Sequence, residues 1–130
     1  MNSLEPKKLA IIRILQILHK HSDADHPLTQ DEIATYLLND YGIELERKAI
    51  GKNITILRDY FCGDNDVECD IVSNKHGSYM LSRPFEDSEL RMLIDGVLAS
   101  RHITANHSKK LIEKLCNLSN TYFRSHVKNI

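Results

Sequence analysis

The chain has 130 residues, 42% of them apolar, which suffices for one compact core or a small domain with a helical appendage and excludes a disordered chain. Its 17 Lys and Arg face 18 acidic residues for a formal charge of -1, so any nucleic-acid binding must come from a local basic patch and not from a global positive field. Cys62, Cys69 and Cys116 form no CxxC pair, and their odd number suits a disulfide framework poorly. They read as reduced thiols in a cytoplasmic protein.

Residues 7–21 carry a helical pattern after Pro6, whose missing N–H costs nothing in a first turn. The apolar run 9–18 is broken by Arg13 and Gln16, which makes it neither a signal peptide nor a membrane span. Ile11, Ile14, Leu15 and Leu18 mark one face, and Ile12 and Ile17 widen it to roughly 220° at about 100° per residue. So wide a stripe predicts two neighbours for this helix, the domain core and either a later helix or a second subunit.

After the polar connection 22–28, Thr29 and Glu32 have the spacing of a capping box, with Leu28 able to staple onto Ile33. The helix is predicted to run to about residue 40, burying Ile33, Leu37 and Tyr36, and Gly42 supplies a left-handed residue to end it. A third helix over about 46–60 places Ile50, Ile54, Leu57 and Phe61 inward. Lys48, Lys52, Thr55 and Asp59 then point outward, with Gly51 at the border and Arg47 in the first turn. Segment 62–68 is acidic and turn-forming, and strands at 70–73 and 78–82 flank NKHG, a loop with Asn and Gly where positive φ is wanted. A hairpin directly after two such helices is a wing, predicted over about 70–82 with Lys75 and His76 at its tip.

In 87–100, Leu90, Leu93, Ile94, Val97 and Leu98 match the helical template, and Leu111, Ile112, Leu115 and Leu118 repeat it in 107–119. The short 101–106 link makes these an antiparallel helical hairpin. The expected fold is therefore mostly α with a small β-hairpin: a winged helix-turn-helix domain over 1–83, then a helical hairpin over 84–120 acting as linker or dimerisation element.

A recognition helix presents its N-terminal half to base edges in the major groove, while a wing contacts the backbone. Arg47, Lys48 and Lys52 supply donors for phosphates or for guanine O6 and N7, and Thr55 suits either role. Gly51 costs roughly 1 kcal/mol against Ala inside a helix, which close approach to DNA would justify. Sequence-specific binding of double-stranded DNA through Arg47, Lys48, Gly51, Lys52, Thr55, Lys75 and His76 is the reading these residues support. The alternative is a winged-helix protein-protein interaction module without DNA binding.

The helix order, LERKAIGKNITIL at 45–57, GSYML at 77–81 and PFEDSELRMLIDGVLASRHIT from residue 84 together resemble the N-terminal part of bacterial WYL-domain transcriptional regulators. Such proteins carry a recognition stretch like S-x-R-T-I-x-R-D-I-x-x-L, onto which Glu46, Lys48, Ala49, Ile50, Lys52 and Asn53 align. Lys for Arg keeps phosphate binding but weakens bidentate base readout, and Ala49 and Asn53 remove a hydroxyl and a carboxylate. A homodimer is expected, and if the helical hairpin dimerises, two recognition helices face half-sites about 34 Å apart. The resemblance also implies a longer regulator, in which residues 121–130 begin the connection to a C-terminal domain that binds an effector.

Other constellations are weaker. His19, His21 and His26 match no common zinc spacing and read as surface residues, so no metal is expected. Asp64, Asp66, Glu68 and Asp70 lack the glycine and terminal Glu of an EF-hand and read as a solvated loop pointing away from DNA. Cys62 is expected to pack beneath the wing. With five glycines and no nucleophile elbow, phosphate loop or HExxH, neither enzymatic activity nor a cofactor is expected.

Overall fold

Pro6 opens a short 3-10 turn, Lys7–Leu9, that runs into helix α1, Ala10–His21. The computed structural model describes residues 6–62, 70–81 and 85–127. Expectations for Asp64, Asp66, Glu68 and Cys69 fall outside them. The chain divides into two compact units, Met1–Leu81 and Ser82–Ile130, and its architecture is mostly helical with one two-stranded antiparallel sheet.

In the first unit α1 buries Ala10, Ile14, Ile17 and Leu18. Its neighbours are α2 (Gln30–Tyr41), α3 (Arg47–Cys62) and the strand Gly77–Met80. The wide apolar stripe is thus largely used inside the unit, where contact from three sides buries or half-buries everything but Ile12.

Helix α2 starts as its sequence dictates. The Thr29 Oγ1 accepts from Glu32 N–H at 3.1 Å, and Glu32 Oε1 accepts from Thr29 N–H at 3.0 Å. It ends at Gly42, whose φ of 67° lies in the left-handed region. There the Gly42 and Ile43 N–H groups donate to the Leu38 and Leu37 carbonyls. The short turn delivers the chain to α3, which buries Ile50, Ile54 and Leu57 against Ile33, Leu37 and Ile43.

Strands β1 (Ile71–Asn74) and β2 (Gly77–Met80) pair in the register Ile71↔Met80 to Asn74↔Gly77. Only Lys75 and His76 remain in the turn, so pairing reaches one residue further into NKHG than the sequence indicates. The Asn74 Oδ1 accepts from His76 N–H at 2.9 Å, an Asx-type closure. On its other edge β2 bridges Leu28, with Leu28 and Ser78 exchanging N–H···O bonds of 2.8 Å in both directions. Leu28, just ahead of the α2 cap, is thus tied to the wing by an isolated bridge.

In the second unit α4 (Asp87–Ala99) and α5 (Ala105–Cys116) form the expected neighbouring pair. The Thr104 hydroxyl accepts from His107 N–H at 3.2 Å, so α5 begins at Ala105, two residues before the expected start at 107. Within the segment 121–130, Thr121–His126 form a third helix of this unit, α6. Asn120 Oδ1 caps it by accepting from Phe123 N–H at 2.9 Å, and Phe123 and Val127 join Leu90, Ile94, Ile112 and Cys116 in the core. Of the five apolar residues expected on the buried face of α4, only Leu90 and Ile94 are fully buried; Leu93 and Leu98 are exposed.

Reduced thiols were expected throughout, but Cys62 at the end of α3 is disulfide-bonded. Cys116 is a free thiol whose pKa burial pushes up. Among the described residues no helix is long and apolar enough to cross a membrane.

Candidate nucleic-acid interface

The face of α3 turned from the core is set by its buried residues, because at about 100° per residue the positions opposite Ile50 and Leu57 must project outward. Lys48, Lys52, Thr55 and Asp59 are all exposed there, and Arg47 is exposed in the first turn, on a different side of the helix. Lys75 and His76 are exposed at the wing tip. The wing and α3 belong to one packed unit, so the fold presents two separate groups of donors from a common scaffold.

Three contacts fix the wing. The Arg58 Nε on α3 donates to the Ile71 carbonyl of β1 at 3.2 Å. Met80 N–H of β2 donates to the fully buried Ser22 Oγ at 3.0 Å, and Ser22 Oγ donates in turn to the Leu18 carbonyl at 2.5 Å. Gly77, with φ 131°, allows the Leu28 bridge, since a Cβ there would lie 2.4 Å from the Leu28 oxygen. The tip is exposed but its base is built into the core.

Gly51 has a different environment from the one the sequence suggests. A Cβ at this position would meet Gln30 Nε2 at 2.8 Å, so the Gln30 side chain from the start of α2 lies over it. The end of Gln30 is flexible, and the residue stands beside the outward face as a further polar group that periodicity does not single out.

Thr55 Oγ1 donates to the Gly51 carbonyl at 3.1 Å, and Asn53 Nδ2 donates to the Ala49 carbonyl at 3.0 Å. Thr55 thereby offers acceptor lone pairs and a methyl group, while Asn53 is half-buried and turned into its own helix. Ile56 and Tyr60 are exposed on α3, which their apolar character conceals in a sequence reading. Lys7 also lies at this end of the unit, lining a shallow cleft with Glu44, Leu45, Glu46 and Ala49. The positive charge at the N-terminus of α3 is therefore bordered by two carboxylates, and the local patch is narrow.

The histidines are not gathered. His21 stacks on Tyr36 with ring centroids 4.1 Å apart, and His26 Nδ1 lies 2.7 Å from Asp23 Oδ1. Desolvation, with a smaller contribution from Lys20 and an opposing one from Asp40, holds the His21 pKa below its ordinary 6.5. Among the described residues no group of three or more His, Cys, Asp or Glu is placed to hold a metal ion.

No family model, curated protein or solved structure matches this chain.

Proposed function

We propose that the chain is a DNA-binding transcriptional regulator of the cytoplasm that docks α3 in the major groove and sets the wing tip on the backbone. The observation that carries this reading is the exposed outward face of α3 with Lys48, Lys52 and Thr55, and Arg47 exposed in its first turn, on a unit whose wing also exposes Lys75 and His76. Lys48 and Lys52 donate to phosphate oxygens or to guanine O6 and N7, and Lys75 neutralises a phosphate from the wing. The resemblance to WYL regulators supports the same reading. It also supports a homodimer on paired half-sites, with an effector sensed elsewhere in such a regulator.

A second reading, a protein-docking winged helix, is favoured by exposed Ile56 and Tyr60 and by the carboxylates of Glu44, Glu46 and Asp59 around the basic groups. The two readings separate on Lys48→Ala and Lys52→Ala, whose exposed side chains make the variants fold normally. Each is expected to weaken binding to a duplex selected from a random pool by about tenfold, within the roughly 1–3 kcal/mol of a good contact. Unchanged affinity in both variants contradicts DNA docking through α3.

A further inference from the structure

Helix α4 buries Leu90 and Ile94 and leaves a stripe on its outer side. Glu89, Met92, Leu93 and Gly96 follow one another at spacings of three and four, so they are neighbours on that stripe, which Ala99 and Ser100 continue. Met92 is 73% exposed and Leu93 42%. Gly96 is exposed in the helix interior, where glycine disfavours the helix. A Cβ there would meet nothing within 4 Å, so no packing among the described residues calls for its small size. The stripe thus sets two bulky apolar side chains one turn before a gap.

Its charges are divided between the two ends. Glu89 Oε1 closes the N-terminal cap by accepting from Glu86 N–H at 2.9 Å, while the Glu86 side chain accepts from Glu89 N–H. The C-terminal end leads into exposed Arg101 and His102, and no carboxylate occurs between Gly96 and Ile112. Asp95 lies at the outer edge of the stripe, where it stays in water. A twofold interface requires one patch to complement itself. A second α4, turned antiparallel about an axis level with the midpoint between Leu93 and Gly96, meets that requirement. Met92 and Leu93 of each copy then fill the gap at Gly96 of the other, and Glu89 of each reaches the Arg101 end of the other. A parallel pair would instead set Glu89 on Glu89 and Met92 on Met92.

We propose that two copies of this chain pair through the outer stripe of α4, antiparallel, with Met92 and Leu93 packed over Gly96 and Glu89 beside Arg101 of the second copy. This gives a surface to the homodimer of the reading above, on which it rests. One helical seam is small against a standard interface, so the contact is weak, with a Kd of roughly 0.1–1 mM.

Sedimentation equilibrium of the full chain without DNA, carried to millimolar concentration, measures the pairing. The wild type is expected to dimerise. Glu89→Arg and Arg101→Glu each place like charges at both symmetry-related contacts, and each is expected to weaken pairing about tenfold. An equimolar mixture of the two variants is expected to pair about as tightly as the wild type, because both contacts then join opposite charges. Gly96→Gln, a better helix former with nothing to displace in its own chain, is expected to unfold at no lower temperature than the wild type and to stay monomeric. A wild type that remains monomeric overturns the homodimer and this assignment with it. Dimerisation that all three variants leave unchanged, or a mixture no tighter than its components, overturns the α4 stripe alone and leaves the homodimer to another surface.

Discussion

The Ser22 hydroxyl links the end of α1 to the wing, donating to the Leu18 carbonyl and accepting from Met80 N–H with no exposed surface. Ser22→Ala removes that acceptor from a buried donor, and a loss of about 1–3 kcal/mol in denaturant unfolding is expected; wild-type stability would contradict the role. His21 carries a second residue-level consequence. Its folded pKa lies below 6.5, so between that lowered value and 6.5 the unfolded chain binds more protons. The stability it contributes is complete above pH 6.5 and declines as pH falls towards the folded pKa. An NMR titration of the His21 ring should give a midpoint below 6.5, and a midpoint at or above that value would remove the effect. Neither role is visible in the sequence, because a serine in a polar connection and a histidine at a helix end look like solvated residues until distant elements meet them.

At the scale of elements, the helices with strong local signals were legible and those fixed by distant contact were not. The Thr29 and Glu32 capping box, the left-handed Gly42 and the inward Ile50, Ile54 and Leu57 all follow from spacing, and the structure places them accordingly. The outward positions of Lys48, Lys52 and Thr55 follow from the same geometry. Helix α6 has six residues, too few for a periodic stripe, and only its packing through Phe123 reveals it. The Leu28 bridge is a single residue pairing fifty positions away, which no local pattern encodes. It makes Gly77 the sensitive point of the wing. Gly77→Ala combines an unfavourable positive φ, worth roughly 1–3 kcal/mol, with a Cβ 2.4 Å from backbone oxygen. Thermal unfolding should show a clear loss of stability and, if the wing contacts DNA, weaker binding as well; an Ala variant as stable as wild type would show that the bridge is dispensable.

Across the whole molecule, the charge balance requires that affinity for a polyanion come from a few placed groups. The formal charge of -1 supplies no long-range attraction, and Glu44, Glu46 and Asp59 limit the basic patch from within. Arg47, Lys48, Lys52 and Lys75 are the cations that a duplex would meet on α3 and the wing. The most direct measurement is therefore the salt dependence of binding to a selected duplex, over roughly 50 to 200 mM salt. With about four phosphates neutralised per unit, a log-log slope of about -3 to -4 is expected, becoming shallower by about 1 in Lys52→Ala. A slope near zero, or one that Lys52→Ala leaves unchanged, would contradict docking of α3 on DNA.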